Sequence, residues 1–201
     1  GSTPSVAADP TTAVIVFDGS GSMWGRLEGE RQAKFAIARE ALKGPMSAAK
    51  PEVMFGLASF GHRRQGDCSD AQVIVPPEAG ATERIAASLD KLNPKGKGPV
   101  AAGLREASKV LGQGPGKRSL ILIHDDADNC GVDVCTLLGE LQSNAPGLVV
   151  HSVGLGLKTD DTAKMQCLTG PTGGKLFDAR SAAQVGSAIE LDILTAQVGV
   201  A

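Results

Sequence analysis

Short runs of Val, Ile, Leu and Phe alternate along this chain with longer stretches in which apolar residues recur at helical spacing. A continuous apolar run of about four to eight residues is typical of a buried strand, whereas a longer stretch with helical spacing is typical of an amphipathic helix. The apolar runs predict strands at 13–18, 52–61, 71–76, 119–125, 148–155 and 175–178. The longer stretches predict helices at 30–43, 82–92, 100–111, 132–144 and 181–194, with another helix around Cys167.

The order of these elements predicts an α/β fold. Strands joined through helices pair in parallel by right-handed crossovers, which gives a sheet with helices on both faces. Segment 71–76 follows a short polar loop, so we expect it to run antiparallel at an edge of a mostly parallel, six-stranded sheet. Residues 1–11 are predicted to be a protease-cleavage remnant, Gly1 and Ser2, followed by a disordered lead-in, and residues 12–201 a single domain.

Composition narrows the classes of function. Of the 201 residues, 42% are hydrophobic and 21% are charged, which is ordinary for a soluble globular protein. A formal net charge of -2 supplies no basic field for nucleic acid, and aromatic residues at 3% give poor platforms for base stacking. No apolar run approaches the ~18 residues of a membrane span. We therefore expect neither a nucleic-acid partner nor membrane insertion.

The cysteines favour an oxidising compartment. Those at positions 68, 130, 135 and 167 form no Cys-x-x-Cys pair, which disfavours a zinc or thioredoxin-type site. Disulfides are the favoured interpretation, and they predict a periplasmic or secreted protein whose leader has been removed. Four cysteines allow three connectivities. Consecutive crossovers place the fourth and fifth helices side by side, so Cys135 is expected to pair with Cys167, which leaves Cys68 for Cys130.

Acidic and hydroxyl side chains follow two of the predicted strands. Asp18, Ser20 and Ser22 come at the end of the first strand, and Asp125 and Asp126 at the end of the fourth. Ligands of open α/β sheets bind outside the carboxyl ends of strands, where connections depart in opposite directions. Such oxygen ligands suit a hard divalent cation, Mg²⁺, Ca²⁺ or Mn²⁺, and the uncharged hydroxyls leave the ion able to accept a partner's carboxylate. We expect Asp18 to lie in a loop that faces water.

Other motifs in the chain are incomplete. Gly19, Gly21 and Gly25 are spaced one residue too widely for a dinucleotide-binding fingerprint, and neither serine of this loop is centred in a nucleophile elbow. The segment from Asp126 opens like a calcium-binding EF-hand loop, but Leu137 stands where its bidentate glutamate belongs. We therefore expect no enzymatic activity.

The histidines, His62, His124 and His151, lie in or at the ends of predicted strands. His151 is expected to be a half-buried, hydrogen-bonded strand residue. His62 and His124 should lie closer to the acidic residues, where support of a metal ligand is an alternative role.

The sequence resembles the von Willebrand factor A (vWA) domain family, whose metal-ion-dependent adhesion site (MIDAS) begins with Asp-x-Ser-x-Ser after the first strand. The stretch DGSGS at 18–22 matches this motif fully, and the resemblance covers nearly the whole chain from about residue 12. The chain is most similar to secreted bacterial single-domain members with blocks like DGSGSMWGR, GHRRQGDCSD, NPKGKGP and GGKLFDA. The resemblance implies a Rossmann-like vWA fold.

The resemblance also implies which residues bind the ion. The family's site corresponds here to two carboxylates and two hydroxyls, those of Asp18, Ser20, Ser22 and Asp125. Relatives add a threonine from a Gly-Lys-Thr-Pro segment, but this chain has Gly-Lys-Gly-Pro, so the expected ligand falls on Gly98. Asp126 replaces a usual glycine and His124 a usual serine. We expect weak metal binding, with Asp126 as a further candidate ligand whose charge would favour Ca²⁺.

Three functions follow from these observations. The first is an exported binding module that recruits a protein partner with an acidic residue, through a divalent cation and the surrounding loops. The second is a periplasmic accessory or assembly factor for a metalloenzyme such as a methanol dehydrogenase system, a role associated with some bacterial members of the family. The third is a metal-assisted hydrolase, for which the motif offers no poised general base or nucleophile.

Overall fold

The computed structural model describes residues 1–3 and 9–198. The strands are β1 (Thr12–Asp18), β2 (Met54–Phe60), β3 (Ala71–Glu78), β4 (Arg118–His124), β5 (Val149–Leu155) and β6 (Leu176–Ala179). The α-helices are α1 (Lys34–Ser47), α2 (Thr82–Lys91), α3 (Val100–Leu111), α4 (Leu138–Asn144), α5 (Thr159–Thr172) and α6 (Ala182–Val198). Short 3-10 helices cover Gly21–Trp24 and Val134–Leu137. Part of the predicted lead-in, residues 4–8, lies outside the described residues.

The strands form one six-stranded sheet in the order β3-β2-β1-β4-β5-β6. Every neighbouring pair is parallel except β2 and β3, which are antiparallel at one edge. The predicted α/β fold, mostly parallel with one antiparallel edge strand, is therefore confirmed. From β1 the chain builds toward the β3 edge, and it then returns to place β4 on the other side of β1. This reversal is the switch point at which open sheets bind their ligands.

The sheet is buried on both faces. Successive side chains of a strand point to opposite faces, so Ile15 and Phe17 of β1 belong to one core layer and Val14 and Val16 to the other. Helices α1, α2 and α6 cover the first layer, and α3, α4 and α5 cover the second. Complete burial of one such side chain contributes about 1.5–3 kcal/mol. Two apolar layers explain why the central strands are continuous apolar runs in the sequence.

Two helices begin differently from the sequence-based prediction. α1 begins at Lys34 rather than at residue 30, and the Glu30 side chain instead accepts a 2.8 Å hydrogen bond from the Ala182 N–H at the start of α6. The fourth predicted helix begins as a 3-10 turn, in which Asp133 accepts a 3.0 Å hydrogen bond from the Cys135 N–H. Side-chain hydrogen bonds to the backbone, which helical periodicity does not reveal, accompany both changes.

Two disulfides, Cys68–Cys130 and Cys135–Cys167, link the loops and helices, and they are the pairs that the helix order predicts. The first joins the loop after β2 to the loop after β4, with Cα atoms 5.7 Å apart. The second joins the 3-10 turn before α4 to α5, with Cα atoms 5.1 Å apart. Within the described ranges, no helix is both long and apolar enough to span a bilayer.

Candidate metal centre

The carboxyl ends of β1 and β4 lie side by side because the two strands are parallel neighbours. Asp18 ends β1 and Asp125 directly follows β4. Asp18 is fully buried, so the expectation that it faces water is wrong. The loop at 93–98 packs beside it, anchored where the Lys95 N–H donates a 3.0 Å hydrogen bond to the Gly19 carbonyl. A contact made by a loop so distant in sequence is not visible in the local motif.

The four predicted ligand side chains form one hydrogen-bonded network. Asp18 Oδ1 accepts from the Ser20 N–H at 2.8 Å, and Asp18 Oδ2 accepts from the Asp125 N–H at 3.4 Å. The Ser20 and Ser22 hydroxyl oxygens are 3.0 Å apart. Ser22 Oγ donates to Asp125 Oδ1 at 2.9 Å. The structure thus brings these four side chains to one place at the switch point.

The spacing of these oxygens fits a divalent ion. Neighbouring ligands of an octahedral Mg²⁺, each ~2.1 Å from the ion, are about 3.0 Å apart. The Ser20–Ser22 and Ser22–Asp125 oxygen pairs are 3.0 and 2.9 Å apart, so their spacing suits a shared ion as well as hydrogen bonds. In the described part of the chain, no group of three or more His, Cys, Asp or Glu could hold a metal ion. The candidate ligand set at this site is therefore the two carboxylates together with the two serine hydroxyls.

Several carboxyl groups lie close together around the network. Burial and the neighbouring Asp125 carboxylate raise the pKa of Asp18 well above its usual range, while hydrogen bonds from Ser20 oppose the shift. Burial, followed by the charges of Asp125 and Asp161, raises the pKa of Asp126 to about 7. Asp126 Oδ1 is buried with no hydrogen-bond partner among the described residues. A buried oxygen without a partner is costly, and a nearby cation would relieve that cost.

One positive charge reaches this acidic cluster from α1. The Lys34 ammonium lies 3.2 Å from Asp125 Oδ2, and its side chain is 18% exposed. The sequence analysis missed Lys34 as a site residue. Its partner lies 91 positions further along the chain, and no motif connects the two.

Gly98 borders the network. Its N–H donates a 2.6 Å hydrogen bond to Asn129 Oδ1, a residue that the sequence analysis also missed. A Cβ atom on Gly98 would lie 3.4 Å from Asp126 Oδ1 and 3.6 Å from Ser20 Cβ, which are ordinary contacts. The φ angle of Gly98 is not in the positive range that favours glycine. The backbone therefore accepts a side chain at this position, where the family resemblance implies a threonine.

The EF-hand-like segment after β4 is held in place by hydrogen bonds to Asp128, which also connect it to α3. Asp128 Oδ2 accepts from the N–H groups of Cys130 and Val132 at 2.8 and 3.0 Å. Asp128 Oδ1 accepts from the Ala101 N–H at 3.1 Å, which ties this segment to the first turn of α3. Asp side chains commonly bind backbone groups two residues ahead, so the sequence does carry a signal for this turn.

His124 is the histidine that hydrogen-bonds to a site residue in the described ranges. Its Nδ1 donates to the Asp126 carbonyl, and its Nε2 accepts from Ser152 Oγ at 2.6 Å. Burial lowers the pKa of His124, so its ring is neutral at physiological pH. The Nε2 atom of His62 instead lies 2.9 Å from Gln72 Oε1. His124 therefore helps to position the Asp126 backbone.

The fold and the site together define a class of protein, an α/β domain with an oxygen-rich centre at the switch point of its sheet. The family model for the von Willebrand factor type A domain matches residues 13–127, which is more than half of the chain. The chain therefore belongs to the von Willebrand factor type A domain family.

Several known proteins are similar to this chain. YwmD, an uncharacterized protein of Bacillus subtilis (strain 168), is 27% identical over 199 residues, covering 93% of this chain and 88% of YwmD. The conserved hypothetical protein BatB of Bacteroides thetaiotaomicron has a TM-score of 0.72 and 14% identity, covering 94% of this chain and 100% of BatB. The pilus adhesin SpaC of Lactobacillus rhamnosus GG has a TM-score of 0.72 and 18% identity, covering 94% of this chain and 31% of SpaC. The two structural similarities show a shared fold.

Proposed function

We propose that this vWA domain is an exported, non-catalytic module that recruits a protein partner through a divalent cation. Asp18, Ser20, Ser22 and Asp125 would hold the ion as a MIDAS. The bound ion would supply a positive charge with open coordination positions, and a carboxylate of the partner would occupy one of them.

The convergence of two carboxylates and two hydroxyls at the switch point carries the proposal. Asp18 is buried at the base of the network, whereas Ser22 is exposed at its outer side. An ion held between them would face solvent on one side. Because the hydroxyls are neutral, the ion would retain enough charge to attract an acidic partner.

The surface beside the network suits a protein partner. Trp24 is 51% exposed, yet its indole N–H donates a 2.8 Å hydrogen bond to the Pro94 carbonyl, and its ring packs edge-on against Phe35 with centroids 4.4 Å apart. Fixed aromatic side chains often provide much of the binding energy at protein interfaces. Trp24 therefore gives the partner an apolar contact close to the ion.

Two further findings support an exported interaction module. The two disulfides are typical of an oxidising compartment outside the cytoplasm. SpaC, which shares the fold, is described as a pilus adhesin, and this supports a role in binding another protein.

Metal-dependent capture of a partner tests the proposal. The immobilised domain is exposed to envelope and extracellular proteins of its source, with Mg²⁺ or with a chelator, as wild type, Ser22→Ala and the control Ser47→Ala, an exposed serine of α1. We expect a partner to be retained by wild type and Ser47→Ala only when Mg²⁺ is present, and to be lost with Ser22→Ala. Capture that survives both the chelator and Ser22→Ala would refute a role for the ion.

A further inference from the structure

Lys34 occupies an unusual place for a cation. It is the first residue of α1, and its backbone N–H donates to the Gly25 carbonyl at 2.8 Å. A positive charge in the first turn of a helix is unfavourable because the helix dipole places partial positive charge there. The acidic network compensates, since the ammonium lies 3.2 Å from Asp125 Oδ2. Lys34 is therefore held at the site by the same carboxylate that is a candidate metal ligand.

The two oxygens of Asp125 have different partners. Oδ1 accepts from the Ser22 hydroxyl, and Oδ2 accepts from the Lys34 ammonium. An ion that binds Ser22 and Asp125 would bring two more positive charges to a carboxylate that is already paired. Like charges a few ångströms apart in a partly buried site repel strongly. The ammonium and the ion therefore compete for Asp125.

We propose that Lys34 is a tethered cation that neutralises Asp125 in the metal-free protein, and that a divalent ion binds by displacing it. Lys34 thereby sets the metal affinity of the site. This inference rests on the proposed function, because it assigns the same four residues to the ion.

A polar groove beside Lys34 offers space for the displaced ammonium. Lys34 lines a polar groove together with Arg26, Leu27, Glu28, Gly156 and Arg180. Arg180 is already held by Asp178, at 2.7 Å, and by the Leu157 carbonyl. Glu28 is an exposed residue that lines the same groove, so the groove contains a carboxylate other than Asp125. On this proposal, the displaced ammonium would move from Asp125 into this groove.

Calorimetric titration of Mg²⁺ into charge variants of Lys34 tests the inference. Lys34→Met removes the competing charge, and we expect Mg²⁺ to bind about tenfold more tightly, equivalent to about 1.4 kcal/mol. Lys34→Arg keeps the charge and should bind like wild type. Lys43→Met is the matched control, because Lys43 lies about 13 Å further along α1 and pairs with Glu40 and Asp90. Its affinity for Mg²⁺ should not change.

Thermal unfolding gives a second readout. Without metal, Lys34→Met leaves Asp125 without its ammonium partner, so Mg²⁺ should raise the melting temperature more in this variant than in wild type. Equal affinities of wild type and Lys34→Met would overturn the inference and leave the proposed function intact. Equal tightening by Lys34→Arg would also overturn it, because charge would not be the cause. Absence of Mg²⁺ binding in every protein would overturn both.

Discussion

At the scale of single residues, position 98 would determine how many protein oxygens reach an ion at the proposed site. A side chain on Gly98 would project toward Asp126 and Ser20. Gly98→Thr therefore offers a hydroxyl in place of a mobile water, and we expect it to tighten Mg²⁺ or Mn²⁺ about tenfold, or ~1.4 kcal/mol. Calorimetric titration of the two proteins measures the change.

Valine is the matched control for this substitution, because it has nearly the shape of threonine without the hydroxyl. Gly98→Val should bind Mg²⁺ no more tightly than wild type. If both variants tighten binding equally, a change of shape rather than a new ligand is responsible. If folded Gly98→Thr binds as wild type does, the loop does not approach the ion.

A buried pair in the core makes stability depend on pH. Asp192 of α6 and His151 of β5 are fully buried, with Oδ1 and Nδ1 3.7 Å apart, so His151 is more buried than its sequence predicts. His151 Nδ1 accepts from the Lys175 N–H at 3.0 Å, and neither carboxyl oxygen of Asp192 has a hydrogen-bond partner in the described chain. Burial raises the pKa of Asp192 to about 8 and lowers that of His151 to about 4.

The free energy of unfolding should therefore fall as pH rises from about 6.5 to about 8. In that window an aspartate in the unfolded chain, with a pKa of ~3.9, has lost its proton while folded Asp192 keeps it. The free energy of unfolding therefore falls by up to about 1.4 kcal/mol per pH unit. Below about 6.5 the unfolded histidine gains a proton that buried His151 does not, so the two effects oppose each other. Denaturant unfolding should show a smaller loss in Asp192→Asn. An identical loss would mean that folded Asp192 is already ionised.

The sequence could predict the site only as far as its local motifs reach. Asp18, Ser20 and Ser22 are adjacent in one motif, and Asp125 ends a recognisable strand. The burial of Asp18 and the approach of Lys34 depend on segments far away along the chain. Tertiary packing alone brings those charges together, so no pattern in the sequence marks them.

At the scale of elements, the strands follow closely from the sequence. The predicted strand limits agree with the structure within two residues, because burial on both faces makes each strand a continuous apolar run. The 3-10 helix at Gly21–Trp24 was not predicted. Trp24 is held there by its hydrogen bond to Pro94, on a loop 70 positions away. Elements that depend on such contacts cannot be derived from periodicity.

The two disulfides should differ in their effect on metal binding. They close segments with sequence separations of 62 and 32, for which chain entropy gives about 4 kcal/mol each. Cys130 is the neighbour of Asn129, whose side chain accepts a hydrogen bond from Gly98, so the Cys68–Cys130 disulfide fixes the segment that contacts the Gly98 loop. Cys135–Cys167 instead joins the 3-10 turn before α4 to α5. We expect the Cys68→Ser/Cys130→Ser variant to bind Mg²⁺ about fivefold more weakly, or ~1 kcal/mol.

The Cys135→Ser/Cys167→Ser variant is the control for this comparison. Denaturant unfolding should show a similar loss of stability in both double variants, and calorimetry should show weaker Mg²⁺ binding only in the first. Equal affinities of the two folded variants would show that the Cys68–Cys130 link does not organise the site.

At the scale of the whole molecule, the topology explains why the site lies between β1 and β4. The chain places strands on both sides of β1, and the reversal leaves a crevice at the carboxyl ends of the two central strands. This position was predictable, because the order of strands and helices already separates the acidic clusters onto neighbouring strand ends. The balance of charges within the crevice was not predictable, since it depends on how α1 and the loop at 93–98 pack against the sheet.

The claim that this switch point is a divalent-cation site is tested most directly by calorimetric titration of Mg²⁺ and Ca²⁺ into wild type and Asp18→Asn. Asparagine keeps the shape of Asp18 and an oxygen that can accept the Ser20 N–H, but it cannot ionise to supply the negative charge that binds a cation. We expect one ion per chain in wild type and no measurable binding in the folded variant. Equal binding by the two proteins, or none by wild type, would contradict the account.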